Sequence, residues 1–286
     1  MKRDDDFSWK TDDGESVYAR RRRVDGRARA AVCLVHGIGE HSGRYADAAE
    51  RFTEAGISFY TFDLRGHGAS SGKRGHTPSF ERLFDDVDRI VAEARAAEGE
   101  ESPVFVWGHS MGGTIALNHA LIRDPAISGL IVTSPYLRLG REPSALESLL
   151  ARLMSLVLPS VTFEMSLDVQ ALARVPGVAE AYRADPLTHG SISARWFVAA
   201  RNAARFALDH ATELRYSVLL MHGTADALTS VAGSREFSAS LGDRCTYREF
   251  RGAYHELHND VVKDEAYREI LTFVERTCAH AQIHGS

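Results

Sequence analysis

A serine with a glycine two residues away on each side is the strongest candidate for a nucleophile in this sequence. Residues 108–112 read Gly-His-Ser-Met-Gly; they follow the apolar run 104–107 and precede a helix-like segment that begins at Gly113. Glycines on both sides permit a strand-to-helix turn too tight for larger side chains. Such a turn exposes the serine hydroxyl and points the first N–H groups of the helix at it. The pattern predicts Ser110 as a catalytic nucleophile.

Two later loops carry the acid and the base that a serine nucleophile requires. A serine hydroxyl must lose its proton during attack, and a carboxylate must orient the imidazole that accepts the proton. Asp226 follows the apolar segment 217–221, and His255 follows a strand-like segment that ends at Phe250. His258 competes with His255, and spacing alone does not separate them. The chain order serine, acid, histidine predicts an acyl-transfer site.

Two backbone N–H groups are predicted to form the oxyanion hole. One belongs to Met111, directly after the serine, and the other to Ile38 in the glycine-containing loop after an early strand. Each such donor typically lowers the reaction barrier by about 3 kcal/mol.

Alternating strand-like and helix-like segments must position these loops. Strands are expected at residues 30–35, 57–62, 104–107, 129–134, 217–221 and 245–250, and helices at 44–55, 79–97, 231–241 and 261–278. This alternation predicts an α/β fold with a mostly parallel central sheet and helices on both faces. The carboxyl ends of the strands then share one edge of the sheet, where open α/β sheets place their sites.

The alternation is interrupted by a long insertion. Roughly eighty residues separate Ser134 from the next clear strand, which is more than one crossover helix requires. We interpret residues 136–213 as a helical cap inserted after the sixth strand, over a hydrolase core formed by residues 1–135 and 214–286.

One segment of this cap has apolar residues at helical spacing. They are Leu146, Leu149, Leu150, Leu153, Met154 and Val157. The preferred interpretation is a helix that packs on the cap or lines an acyl tunnel. The alternative is an interfacial lid that transiently contacts a membrane or a micelle.

Composition excludes several other classes of function. The 286 residues include 34 basic and 39 acidic side chains, a net charge of −5 that does not suggest nucleic acid as a partner. The basic run at residues 20–23 is expected to form a solvated edge strand. The scattered Cys33, Cys245 and Cys278 and the separate histidines indicate neither a disulfide framework nor a metal site. Without a signal-peptide pattern or a bilayer-length apolar run, a cytoplasmic location is expected, peripheral at a membrane if the cap contacts lipid.

Together these motifs resemble the monoacylglycerol lipase and lysophospholipase group of α/β-hydrolases. The matching segments are residues 36–45, 63–72, 108–113, 222–226 and 252–258. The resemblance implies an α/β-hydrolase fold without a cofactor. It assigns Ser110, Asp226 and His255 as the catalytic triad and selects His255 over His258. Only the cap is loosely matched, so no acyl-chain preference carries over.

The resemblance also implies where the polar part of the substrate binds. Positions matching Glu40, Arg44 and His258 form the polar end of the pocket in this group, and Tyr182 resembles a further polar residue of the cap. A local salt bridge is the alternative for Glu40 and Arg44.

The resemblance implies cleavage of monoacylglycerols to fatty acid and glycerol through an acyl-enzyme. A lysophospholipase or a broad carboxylesterase is the nearest alternative, with the same chemistry and a different head-group site. A non-catalytic binding protein on the same fold is the rival from another class, but it requires the loss of a triad residue. The sequence leaves the oligomeric state open.

Overall fold

The computed structural model describes residues 3–140, 144–165 and 167–284. Its strands are β1 (Arg3–Lys10), β2 (Ser16–Arg23), β3 (Ala30–Val35), β4 (Ile57–Phe62), β5 (Val104–His109), β6 (Gly129–Thr133), β7 (Thr162–Glu164), β8 (Ser191–Ser193), β9 (Val218–Gly223) and β10 (Cys245–Phe250). Its helices are α1 (Ala46–Glu54), α2 (Phe80–Glu98), α3 (Met111–Arg123), α4 (Ala145–Val157), α5 (Val178–Ala184), α6 (Ala194–Asp209), α7 (Val231–Leu241) and α8 (Lys263–His284).

The central sheet has the strand order β1-β2-β4-β3-β5-β6-β9-β10. Strands β1 and β2 pair antiparallel with their neighbours, and β4, β3, β5, β6, β9 and β10 pair in parallel. Every residue of β3, β4, β5, β6 and β9 is buried, because α2, α3 and α6 cover one face of the sheet while α1 and α8 cover the other. The predicted α/β fold, with a mostly parallel sheet and helices on both faces, is confirmed.

The expectation that the basic run forms an edge strand is wrong. Residues 20–23 lie on β2, which pairs with β4 on one side and with β1 on the other. The aspartates at positions 4–6 of β1 stand opposite the arginines at positions 22–20. The Arg22 guanidinium lies 2.7 Å from the Asp4 carboxylate. Cross-strand pairs of opposite charge stabilise an antiparallel ladder, so the acidic β1 covers the basic strand and becomes the edge.

The segment between β6 and β9 contains strands as well as helices. Strands β7 and β8 form an antiparallel pair there, beside α4, α5 and α6. Backbone hydrogen bonds join this segment to loops at the carboxyl edge of the main sheet. His189 donates to Gly39 at 3.0 Å, and Ser193 donates to Gly75 at 2.8 Å. The inserted segment therefore lies over the sheet edge where the predicted functional loops meet.

Helix α4 does not pack in the way we preferred from its sequence. A capping box between Ser144 and Glu147 begins the helix, yet none of its residues is buried. Leu146 and Leu153 are 65% and 50% exposed. The tunnel-lining interpretation is wrong, because no residue of α4 lines the cavity described below. The helix does pack on α6 of the inserted segment, where Arg201 Nη1 donates to Ser148 Oγ at 3.3 Å, but its leucine stripe faces solvent. Within the described ranges, no helix combines the length and the apolar character needed to cross a bilayer.

Candidate active site

Ser110 occupies a strained turn between β5 and α3. Its φ of +53° lies in the left-handed region, which non-glycine residues rarely adopt outside functional turns. A Cβ on Gly108 would come within 2.4 Å of the Gly112 carbonyl oxygen, and one on Gly112 within 2.0 Å of the Val35 carbonyl oxygen. Both positions therefore require glycine, and the pattern that singled out Ser110 has a steric cause.

The predicted acid and base are in direct contact. His255 Nδ1 lies 2.7 Å from Asp226 Oδ2, and both residues are in loops that follow parallel strands of the sheet. Burial lowers the pKa of His255, but the charge and the hydrogen bond of Asp226 outweigh it, so the net pKa lies above the ordinary value. Burial raises the pKa of Asp226, while the two histidines beside it lower that pKa well below its usual range. The pair therefore favours an ionised carboxylate beside a basic imidazole.

The Asp226 carboxylate is held by more donors than sequence reasoning identified. Its Oδ1 accepts the backbone N–H groups of Leu228 and Thr229 at 2.8 and 3.0 Å. Its Oδ2 also lies 3.1 Å from His222 Nε2, and His222 Nδ1 contacts Ser234 Oγ at 2.7 Å. Sequence analysis missed His222 as a partner, although it begins the motif that ends at Asp226. These contacts fix the carboxylate in the orientation that meets His255.

A cavity of about 430 Å³ brings the predicted catalytic groups together. Ser110, His255, Ile38 and Met111 all line it. Most of the remaining wall is apolar and comes largely from the inserted segment and the loops beside it: Tyr136, Leu139, Phe163, Met165, Leu167, Leu172, Ile192, Phe197, Ala200, Ala227 and Leu228. A largely apolar cavity with a few convergent polar groups is typical of a small-molecule site.

The two predicted oxyanion donors lie next to the serine. Met111 is the first residue of α3, where a helical N–H has no acceptor within the helix. Ile38 follows Gly37, and a Cβ on Gly37 would stand only 3.1 Å from Ser110 Cβ. The Gly37 N–H donates to Glu40 Oε1 at 2.6 Å, which holds this loop against the serine. The arrangement suits a hydroxyl that attacks an acyl carbon.

Buried charges form the polar end of the cavity. Arg44 Nη1 donates to Glu40 Oε2 at 2.8 Å and to Glu256 Oε1 at 2.5 Å, and Arg44 Nη2 donates to Glu256 Oε2 at 2.8 Å. Glu40 Oε1 also accepts the Tyr45 hydroxyl at 2.8 Å. Burial raises the pKa of Glu256, but the adjacent Arg44 lowers it to about 2. Glu40 and Arg44 do form a salt bridge, as the local alternative stated, and both also line the cavity.

Glu256 is the residue at this end that sequence reasoning missed. It directly follows His255, and its side chain is only 2% exposed. Asn259 Nδ2 donates to its Oε2 at 2.8 Å, which completes its pairing. A buried carboxylate requires a cationic partner, but that partner is more than two hundred positions away in the chain. The sequence could therefore have indicated Glu256 only by its position next to the candidate catalytic histidine.

The structure brings Tyr182 to the cavity and leaves His258 outside it. The Tyr182 hydroxyl donates to the Gly39 carbonyl at 2.8 Å, and the Arg44 guanidinium lies 5.0 Å from the centre of the Tyr182 ring. His258 is buried behind the cavity instead of lining it, and it stacks on Tyr45 with ring centres 4.6 Å apart. Three of the four residues predicted at the polar end therefore share the cavity with Ser110.

Comparison with known proteins finds relatives that are hydrolases of the same fold. A family model described as Serine aminopeptidase, S33, matches residues 26–261. An abhydrolase domain-containing protein from Dictyostelium discoideum is 33% identical over 95% of this chain, but this chain spans only 29% of its length. The monoacylglycerol lipase of Mycolicibacterium smegmatis is 33% identical over 81% of this chain and 83% of that protein.

A solved structure agrees with these relatives. The crystal structure of the monoacylglycerol lipase of Paleococcus ferrophilus is similar to this chain with a TM-score of 0.83 and 34% identity, over 91% of this chain and 99% of that one. The chain is a serine ester hydrolase that belongs to the serine aminopeptidase S33 family and, within it, to the monoacylglycerol lipase-like α/β-hydrolases.

Proposed function

We propose that this protein hydrolyses the carboxylic ester of monoacylglycerols to a fatty acid and glycerol through an acyl-enzyme on Ser110. The observation that carries the proposal is the 2.7 Å contact between His255 and Asp226, at a cavity shared with Ser110. The cavity has a charged end and a mostly apolar wall, which matches an ester between a small polyol and an acyl chain. The relatives named as monoacylglycerol lipases support the same substrate class.

In the first half-reaction, Ser110 Oγ attacks the ester carbonyl carbon while His255 Nε2 accepts the hydroxyl proton. The N–H groups of Ile38 and Met111 stabilise the negative oxygen of the tetrahedral intermediate, and Asp226 stabilises the imidazolium. The ester C–O bond then breaks, and His255 gives its proton to the glycerol oxygen that leaves. In the second half-reaction, His255 takes a proton from the water that attacks the acyl carbon, and it returns that proton to Ser110 Oγ as the bond between Oγ and the acyl carbon breaks and the fatty acid leaves.

We place the glycerol hydroxyls against Glu40, Arg44 and Tyr182, and the acyl chain along the apolar wall. His258 serves this end indirectly, because it packs against the Tyr45 ring whose hydroxyl donates to Glu40. Residues 136–213 act in this scheme as a cap that covers the cavity, and residues 1–135 and 214–286 act as the catalytic core.

A panel of esters with one acyl chain tests the proposed function. It contains a monoacylglycerol, a diacylglycerol, a lysophosphatidylcholine and a nitrophenyl ester, and each is assayed for kcat/KM. Among the three lipid esters, we expect the monoacylglycerol to be hydrolysed with the highest kcat/KM, because only its head group is both small and uncharged; the nitrophenyl ester, with its activated leaving group, reports the catalytic machinery without a glycerol contact. A higher kcat/KM for the lysophospholipid would instead establish the lysophospholipase alternative, and equal values throughout would establish a broad carboxylesterase.

We also propose that the exposed face of α4 contacts the lipid aggregate that supplies the substrate. Phe163, on β7 of the inserted segment, is 43% exposed and also lines the cavity. Apolar surface of this segment therefore faces both the solvent and the cavity. Monoacylglycerols are amphiphiles held in bilayers or micelles, and an apolar helix face gains free energy by entering such an interface.

Replacing Leu146 and Leu153 together by serine is expected to lower activity toward vesicle-bound monoacylglycerol by about tenfold, because two leucines would lose contact with the lipid. Activity toward a water-soluble nitrophenyl ester should remain unchanged. Ile122→Ser is the matched control, since Ile122 is 51% exposed on α3. Equal losses on both substrates, or no loss on vesicles, would contradict the proposed role of α4.

A further inference from the structure

The charges around the cavity are unbalanced. Among the described residues that line it, Arg44 is the one lysine or arginine, whereas Glu40, Glu164 and Glu256 are acidic. One cation against three carboxylates leaves an excess of two negative charges, before the nearby Asp226 is included. An apolar wall does little to screen these charges, so they act on any ligand that enters.

The positive charge of Arg44 is already offset by two carboxylates. Glu256 binds its guanidinium through two parallel hydrogen bonds of 2.5 and 2.8 Å, and Glu40 occupies a third donor position at 2.8 Å. The two carboxylates together carry more charge than the one guanidinium, so a phosphate group meets no net attraction at Arg44 unless it displaces one of them. The displaced carboxylate would remain buried without its cation, which is strongly unfavourable.

Of the two carboxylates on Arg44, Glu256 determines the charge available to a ligand. Glu40 is committed to the loop beside Ser110, because it also accepts the N–H of Gly37 and the hydroxyl of Tyr45. Glu256 has no such link to that loop; besides Arg44, its side chain accepts only the Asn259 amide among the contacts described. Without the Glu256 charge, Arg44 and Glu40 would form a neutral pair with free guanidinium donors.

We propose that Glu256 is a specificity-determining residue that excludes head groups carrying phosphate and thereby restricts the enzyme to uncharged polyol esters. The inference rests on the proposed monoacylglycerol activity and deepens it. A glycerol hydroxyl can donate to the carboxylates at this end, whereas a phosphate oxygen can only accept and is repelled by them. Glu256 therefore acts against the wrong substrate as well as holding Arg44 for the right one.

The test compares two substrates that differ only in the phosphate, 1-oleoylglycerol and 1-oleoylglycerol 3-phosphate. The measured quantity is the ratio of their kcat/KM values at low ionic strength, with both substrates monomeric. The wild-type ratio should strongly favour 1-oleoylglycerol. In Glu256→Gln, which keeps the side-chain shape and removes the charge, we expect the ratio to fall by about tenfold, equivalent to about 1.4 kcal/mol.

Glu180→Gln is the matched control, because it removes the same charge from an exposed side chain on α5, away from the cavity lining. Its ratio should equal that of the wild type. Glu164→Gln provides a second test that does not disturb a buried pair, since Glu164 is exposed, and it should shift the ratio in the same direction by a smaller factor. Fluorophosphonate labelling and thermal melting establish that each variant is folded.

The outcomes separate the two proposals. If the wild type hydrolyses 1-oleoylglycerol but Glu256→Gln keeps the wild-type substrate ratio, the charge-exclusion proposal is overturned and the proposed activity stands. A wild-type preference for the phosphate substrate also overturns the charge-exclusion proposal. If a labelled wild type hydrolyses no oleoylglycerol, the proposed activity itself fails.

Discussion

Ser110→Ala is expected to lower kcat toward monoacylglycerol by about a million-fold and to abolish labelling by a fluorophosphonate probe. Removal of the nucleophile from a serine, histidine and carboxylate unit typically costs this much, because the remaining groups cannot form the acyl-enzyme. Residual turnover should reflect only the oxyanion donors and substrate binding. Fatty-acid release from saturating 1-oleoylglycerol, together with in-gel labelling, provides both measurements.

The matched control is Ser240→Ala, which makes the same substitution on the exposed surface of α7 and should leave both readouts unchanged. The double variant of Ser110→Ala with His255→Ala should be no slower than Ser110→Ala alone, because groups that act as one unit are not additive. Full labelling of Ser110→Ala would contradict its assignment as the nucleophile. An additive double variant would show that His255 acts independently of Ser110.

The features predicted from sequence are those with a local cause. The turn at Ser110 follows from glycines at 108 and 112, where any side chain would collide with neighbouring backbone. The loops that contain Asp226 and His255 were located because parallel strands bring their carboxyl ends to one edge of the sheet. The strand pattern therefore predicts that these two distant loops meet. In the structure, His255 and Asp226 are in direct contact.

The features that sequence reasoning missed depend on what lies against a segment in the folded protein. The basic run on β2 is predicted at the sheet edge because the sequence does not state which strands flank it. In the structure, the aspartates of β1 stand directly opposite these arginines. The role of Glu256 depends on its ion pair with Arg44, which is 212 positions away in the chain. The leucine stripe of α4 has the same spacing whether it is buried or exposed, because periodicity defines a face of a helix but not what covers it.

Arg44→Met is expected to lower the free energy of unfolding by about 3–5 kcal/mol, measured by urea denaturation at pH 8. Its side chain is 10% exposed, and it pairs with Glu40 and Glu256, which are 4% and 2% exposed. Removal of the cation leaves two carboxylates buried side by side. Glu256 then favours its neutral form, because burial and the adjacent carboxylate both oppose its ionisation.

The pH dependence distinguishes this electrostatic cause from lost packing. In the wild type, Arg44 lowers the Glu256 pKa, so the pair contributes stability above the unfolded-state pKa of Glu256 and loses it as pH falls toward about 2. In Arg44→Met, burial without the cation instead raises the pKa of Glu256 above its unfolded value. The stability difference from the wild type should therefore shrink steadily between pH 8 and about pH 4.

Two further variants complete the test. Arg205→Met, at an ion pair whose arginine is 83% exposed, should change stability by no more than about 0.5 kcal/mol. Adding Glu40→Gln and Glu256→Gln to Arg44→Met should recover a large part of the loss, because no unpaired charge then remains buried. A loss that is independent of pH, or that persists fully in the triple variant, would assign the effect to packing. Recovery in the triple variant without recovery of monoacylglycerol activity would show that these charges serve the substrate more than the fold.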